Sequence, residues 1–129
     1  MLSLTDKIKI IDRYNGRLRI PSVLDCTTLI LELTEYDRLH EIIGKYDSVK
    51  SGIKFLRKHS GMNNMADYLK NIGCIEVSPE EVQDFDFIHY GFHCGVYFDG
   101  YLFGVDENET FKYRKIIDLS ELEIYRWQK

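Results

Sequence analysis

The chain has 129 residues, of which 44% are hydrophobic and 29% are charged, and its formal net charge is −4 at pH 7. This length suits one domain with a sizeable core, and the composition is that of a globular protein. The negative charge argues against a nucleic-acid binder, which would carry a basic face. No segment reaches the roughly 18 apolar residues of a membrane span. Residues 1–7 also lack the features of a signal peptide, so we expect the protein to be made and retained in the cytoplasm unless it leaves as part of a particle.

The first part of the chain, about residues 1–73, carries helical patterns. Apolar residues at helical spacing predict four helices, which cover residues 3–14, 25–36, 48–59 and about 63–71. Ser3 or Thr5 is the expected N-cap of the first helix, and Asp25 or Thr27 is the expected N-cap of the second.

From about residue 84 to residue 128 the pattern changes to that of strands. Strands are predicted over residues 85–89, 93–98, 101–105 and 110–117. Asp99-Gly100 is a strong signal for a hairpin turn. Residues 122–127 fit either a closing strand or a last helical turn. Helices followed by an antiparallel meander predict one α+β domain over residues 1–129.

Cys26 is the first candidate for chemistry, because it lies where a loop should give way to a helix. Unpaired N–H groups and the positive end of the helix dipole stabilise a thiolate at this position. A nucleophilic cysteine needs a base, and His93 is the best candidate. The three cysteines have no scaffold-like spacing, so we expect free thiols and no disulfide. Cys74 and Cys94 are expected to be core thiols.

Alternation along the predicted strand separates two faces, with His93, Gly95 and Tyr97 on one and Cys94, Val96 and Phe98 on the other. If the helix that begins near Asp25 packs across this sheet, Cys26 and His93 can come within hydrogen-bond reach. The imidazole would then take the thiol proton, and the thiolate would attack a carbonyl group. Because Cys94 points away from His93, we predict no metal site, and we predict no cofactor.

Several stretches resemble the NlpC-type cysteine peptidases, papain-like enzymes that cut cell-wall peptides. Residues 25–30 are similar to their Asp-Cys-Ser-Gly-Leu-Val motif, and residues 93–97 are similar to their His-Val-Gly-Ile-Tyr strand. Asp86 matches the aspartate of their Gly-Asp-Leu-Val strand, although we expect it to hydrogen-bond a turn. The chain is particularly similar to a compact, divergent branch found in phages and prophages. Its tyrosine-plus-helix segment corresponds to residues 46–53, and its Ala-Trp-Arg-like end corresponds to residues 125–127.

The resemblance implies a papain-like fold in which the cysteine helix packs on a C-terminal antiparallel sheet. It implies a cysteine peptidase or amidase with Cys26 as the nucleophile and His93 as the base. The implied substrate is a peptide or peptidoglycan, and the protein would be phage-encoded. Tyr14 stands at the distance before the cysteine where many members keep a tyrosine near the oxyanion.

The position that orients the imidazole in the family falls on Gly104, which has no side chain for this role. Asp106, Asn108 and His89 are the candidates to replace it. The alternative is a catalytically degenerate domain that serves as a structural or assembly protein of a phage virion or tail, with phage structural proteins as its partners. A third hypothesis is an acyltransferase or deamidating enzyme that uses the same two residues on a host protein.

Overall fold

The computed structural model describes residues 2–91, 93–116 and 118–128, and these ranges form an α+β fold, as expected from the sequence. The helices are α1 (Leu4–Tyr14), α2 (Cys26–Leu33), α3 (Val49–Ser60) and α4 (Met65–Asn71). The strands are β1 (Ile75–Glu76), β2 (Phe87–Tyr90), β3 (His93–Phe98), β4 (Tyr101–Val105), β5 (Phe111–Lys115) and β6 (Glu123–Arg126). Short 3-10 turns cover Leu39–Glu41 and Pro79–Glu81. The predicted strand over 110–117 ends at a residue that lies outside the described ranges.

Side-chain caps define where the first three helices begin. Ser3 caps α1 and Asp25 caps α2, each in a reciprocal capping box with the residue three positions later. Ser48 caps α3 in the same way. These short polar side chains accept hydrogen bonds from backbone N–H groups that have no partner inside the helix. Of the two candidates predicted for each cap, Ser3 and not Thr5 caps α1, and Asp25 and not Thr27 caps α2.

The strands form one antiparallel sheet in the order β1-β6-β2-β3-β4-β5. Strands β2 to β5 follow one another as a meander, and β6 returns to pair with β2. Residues 122–127, which fitted either a strand or a helical turn, therefore contain a strand, β6. Asp99 and Gly100 join β3 to β4 with φ values of 50° and 87°, as a tight hairpin turn with two left-handed residues requires.

Both faces of the sheet are covered by apolar side chains. One face packs against the helices, and its buried residues are Phe87, Cys94, Val96, Phe103, Phe111 and Tyr125. The other face carries a smaller cluster made by Val77, Ile88, Leu102 and Ile124, with partly buried residues of the loops around it. Helix α2 packs directly on β3. The orientation of the β3 side chains therefore decides which of them lie near Cys26.

Two glycines on neighbouring strands differ in how much space a side chain would have. A Cβ atom on Gly95 would lie 2.6 Å from the carbonyl oxygen of Phe103, so a side chain does not fit there. At Gly104 a Cβ atom would lie 3.7 Å from the Tyr90 hydroxyl. The Tyr90 side chain extends past this position to Arg114, whose Nη2 donates to the Tyr90 hydroxyl over 2.9 Å. A Cβ atom 3.7 Å from the Tyr90 hydroxyl would be in ordinary van der Waals contact, so the position of Tyr90 does not require a glycine at position 104.

Candidate active site

The start of α2 is fixed by the carboxylate of Asp25, which is only 6% exposed. One oxygen accepts from the Thr28 N–H at 2.8 Å. The other accepts from the Ser22 N–H at 2.8 Å and from the Tyr46 hydroxyl at 2.7 Å. These three bonds tie the preceding turn, the helix and the Tyr46 segment together. Cys26 is consequently held at the first helical position.

Tyr46 connects this cap to helix α3, and the sequence alone did not assign it a role at the site. A Cβ atom on Gly52 of α3 would lie 2.8 Å from the Tyr46 ring, so the glycine lets the helix lie directly against the ring. The Tyr46 hydroxyl is then aimed at Asp25. The resemblance includes a tyrosine followed by a helix, which indicates the position of Tyr46 in the chain. It does not indicate the hydrogen bond from Tyr46 to Asp25.

Asp25→Ala is expected to lower the free energy of unfolding by about 2 to 4 kcal/mol, measured by urea denaturation. The change removes the helix cap and leaves buried donors unpaired. Asp25→Asn keeps a side-chain acceptor and is the matched control, with a smaller expected loss. Because the charge of Asp25 raises the pKa of Cys26, the asparagine variant should also lower that pKa further. Equal stability of the alanine variant and the wild type would contradict the assigned role of the cap.

Cys26 is partly buried, and its thiol lies against a second thiol, that of Cys94 on β3. The Cys94 Sγ is 3.6 Å from the Cys26 carbonyl oxygen. A hydrogen bond from the Cys94 thiol lowers the pKa of Cys26, and Arg19 contributes in the same direction, whereas burial and the charge of Asp25 oppose the shift. The same hydrogen bond, together with burial, raises the pKa of Cys94 well above the ordinary thiol value. The two thiols therefore differ, with the pKa of Cys26 lowered and the pKa of Cys94 raised.

The backbone around Cys26 supplies donors for a developing oxyanion. The N–H of Thr28 is bonded to Asp25. In the described part of the chain, the N–H groups of Cys26 and Thr27 have no acceptor. Unpaired N–H groups at the positive end of a helix stabilise negative charge. These two groups can therefore bind the oxygen of a carbonyl under attack by the Cys26 sulfur.

The structure does not bring the predicted Cys26–His93 pair together. His93 begins β3 and is exposed, with its ring 5.5 Å from that of Tyr90. Among the described residues no hydrogen bond joins it to Cys26. Helix α2 packs on the face of β3 that carries Cys94 and Val96, and strand alternation directs His93 to the opposite face. The burial of apolar side chains thus decides the orientation of the strand.

Three other predicted candidates have structural partners that account for them. The buried hydroxyl of Tyr14 donates to Glu32 at 2.7 Å and so joins α1 to α2. Asp106 accepts from the Asn108 N–H at 2.9 Å and from the Thr110 N–H at 3.0 Å in the turn after β4. These backbone hydrogen bonds lower the pKa of Asp106, and the one from Thr110 has the largest effect. None of these contacts brings an orienting group to Cys26 or His93.

His89 is the histidine that shares a sheet face with Cys94. It stands directly opposite Cys94 on β2 and directly opposite Glu123 on β6. Its Nδ1 is 3.2 Å from a Glu123 oxygen, and the Tyr125 hydroxyl donates to the other oxygen at 2.6 Å. Directly opposed residues of antiparallel strands have Cβ atoms about 4.5 to 5.5 Å apart. A cysteine, a histidine and a glutamate thus form one row across three strands.

Asp86 has the structural role expected of it. Its carboxylate accepts from the Gln83 N–H at 2.8 Å, which confirms the predicted bond to a turn. The guanidinium of Arg126 donates to both carboxylate oxygens, at 2.9 and 2.8 Å. A depression of about 200 Å³ lies beside this ion pair and Trp127, away from Cys26.

No family model, curated protein or solved structure matches the chain. Within residues 2–91, 93–116 and 118–128, no three His, Cys, Asp or Glu side chains are grouped in a way that could hold a metal ion. Over the same ranges, no helix has both the length and the apolar character needed to cross a membrane.

Proposed function

We propose that this protein is a cysteine hydrolase, a peptidase or amidase of the NlpC type, with Cys26 as its nucleophile. The observation that carries this proposal is the pairing of Cys26 with Cys94 at the start of α2. The pairing lowers the pKa of Cys26 and raises the pKa of Cys94, which favours Cys26 as the thiolate of the two. A thiolate that is partly exposed at a helix N-terminus has the environment of a reactive cysteine.

The proposed reaction begins when the Cys26 sulfur attacks the carbonyl carbon of an amide. The N–H groups of Cys26 and Thr27 bind the oxygen as it becomes negative. Collapse of this intermediate expels the amine, which takes a proton from the Cys94 thiol. His89, bound to Glu123, is the imidazole that would return a proton to Cys94 and then activate water to release the acyl group. His89 therefore replaces His93 as the proposed base.

The motif resemblance at residues 25–30 and 93–97 supports cell-wall peptides as the substrate class. It also supports a phage or prophage origin, with synthesis in the cytoplasm and association with the virion. The substrate class, the phage origin and the location are proposals that rest on the sequence motifs.

A second candidate function is a degenerate domain of this type that serves in the structure or assembly of a phage virion or tail. One specific observation favours it: the motif histidine, His93, lies on the face of the sheet opposite Cys94 and is not bonded to Cys26. This candidate predicts binding to phage structural proteins without any turnover of cell-wall peptides.

The reactivity of Cys26 can be tested by alkylating the folded protein with iodoacetamide across a pH series. Only thiolates react, so the rate at Cys26 should rise with pH and level off below the ordinary thiol pKa. Burial raises the pKa of Cys74 to about 11, which makes Cys74 an internal reference. We expect Cys26 to react at least about tenfold faster than Cys74 at neutral pH, because each pKa unit changes the thiolate fraction about tenfold.

Peptide mapping by mass spectrometry would assign the label to each cysteine. Labelling of Cys26 at or below the rate of Cys74 would contradict the proposed nucleophile.

A further inference from the structure

The contact between Cys26 and Cys94 joins two thiols that are 68 residues apart in sequence and lie on different elements. Cys26 is partly exposed, whereas Cys94 is only 2% exposed and lies beneath the start of α2. The Cys26 thiol can thus meet a reagent from solution, whereas the Cys94 thiol is shielded from it. The hydrolytic proposal uses the Cys94 thiol as a proton donor, and it does not require a bond between the two sulfur atoms.

We propose that Cys26 and Cys94 are a dithiol redox pair that forms a reversible disulfide by exchange with a low-molecular-weight disulfide. Glutathione disulfide represents this class of oxidant. This activity goes beyond amide hydrolysis and does not depend on it. It assigns Cys26 as the attacking thiol and Cys94 as the resolving thiol.

The first step is attack by the Cys26 thiolate on one sulfur of the small disulfide. A bond forms between Cys26 Sγ and that sulfur, the original sulfur–sulfur bond breaks, and one small thiolate leaves and takes a proton from water. In the second step the Cys94 thiol gives its proton to His89 and its sulfur forms a bond with Cys26 Sγ. The bond between Cys26 Sγ and the small sulfur breaks, and the second small thiolate leaves and takes a proton from water. The two protein thiols are oxidised to one disulfide, and the small disulfide is reduced to two thiols.

The second step requires Cys94 to lose its proton, and the sheet places an acceptor next to it. His89 is the residue directly opposite Cys94, and Glu123 on the following strand binds its ring. Helix α2 and strand β3 have Cα atoms within 8 Å of each other. A disulfide needs Cα atoms about 4.4 to 6.8 Å apart, so the start of α2 and strand β3 must come within this range for the bond to form.

The test incubates the reduced, folded full-length protein with glutathione disulfide, followed by acid quenching, alkylation and peptide mapping. We expect a disulfide between Cys26 and Cys94, with a mass lower by two hydrogens than that of the reduced protein. No Lys or Arg lies between Lys70 and Lys112, so trypsin leaves Cys74 and Cys94 in one peptide. Cys74→Ser is therefore used in parallel, and it should oxidise like the wild type.

Cys94→Ser should stop at the mixed disulfide between Cys26 and glutathione. This species should accumulate at least about tenfold above its wild-type level, because an adjacent thiol removes it at high effective concentration in the wild type. Cys94→Ala checks that the result does not come from the serine hydroxyl, and circular dichroism checks that each variant is folded. His89→Gln should slow the second step without changing the first.

The proposal is overturned if the wild type remains at the mixed disulfide, or if the protein disulfide forms only in denaturant. It is also overturned if Cys74 forms disulfides as fast as Cys94 does. A wild-type protein that forms the disulfide but does not cleave cell-wall peptides would count against the hydrolytic proposal alone, so the two proposals can fail separately.

Discussion

Cys26→Ala should reduce cleavage of cell-wall peptides by at least about a thousandfold, because the proposed reaction has no other nucleophile. Its effect on stability should be small, about 1 kcal/mol or less, since the side chain is partly exposed and alanine favours a helix. The assay would follow the release of peptide fragments from purified peptidoglycan by mass spectrometry. Cys74→Ala is the matched control and should retain full activity.

Two results would separate the candidate functions. Undiminished cleavage by Cys26→Ala would mean that the thiol is not the nucleophile. No cleavage by the wild type, combined with specific binding to phage structural proteins, would favour the degenerate domain. His93→Ala tests which histidine is the base. His93 lies on the opposite face of the sheet, so its removal should leave cleavage by Cys26 and His89 nearly unchanged. His89→Ala should reduce it strongly.

Arg126→Ala is expected to lower the free energy of unfolding by about 3 to 5 kcal/mol. Its guanidinium donates to both oxygens of Asp86, which is 2% exposed, and also to the carbonyl oxygen of Glu81 at 2.8 Å. Removing the arginine leaves a buried carboxylate without its counter-charge, which is much more costly than losing an exposed pair. The difference would be measured by urea denaturation, with the same dependence of unfolding free energy on urea concentration fitted to both proteins.

The control for this prediction is Arg38→Ala. Arg38 forms an exposed pair with Glu41 at 3.1 Å, and exposed pairs contribute little to stability because water screens the two charges. The double variant Asp86→Asn with Arg126→Met should recover part of the loss, because it removes the unpaired charge. If Arg126→Ala and Arg38→Ala destabilise the protein equally, the pair at Asp86 has no special role in stability.

Features set by neighbouring residues could be predicted from the sequence. Ser3 and Asp25 are short polar side chains before apolar runs, and both cap the predicted helices. The position of Cys26 at the start of α2 follows from the same local pattern. Phe85 shows the limit of this reasoning, because its left-handed φ of 71° prevents the strand from beginning there and β2 begins at Phe87.

Features set by packing between distant segments could not be predicted. Alternation correctly separated His93 from Cys94, and the motif resemblance then suggested that the His93 face meets α2. The structure has the opposite face there, because burying Cys94 and Val96 removes apolar surface from water, whereas a histidine tolerates exposure. The partnership of His89 with Glu123 depends on β6 returning to pair with β2, a contact across 34 residues.

The two edges of the sheet differ in a way that bears on self-association. One edge is β1, which has only two residues, and the other is β5. Residues 16–19 bond to the beginning of β5 through the Gly16 N–H and the Arg17 carbonyl oxygen. Farther along, the open edge carries the exposed cations Lys112 and Lys115. A second copy adding its β5 there would bring like charges together, so the sheet resists extension into fibrils.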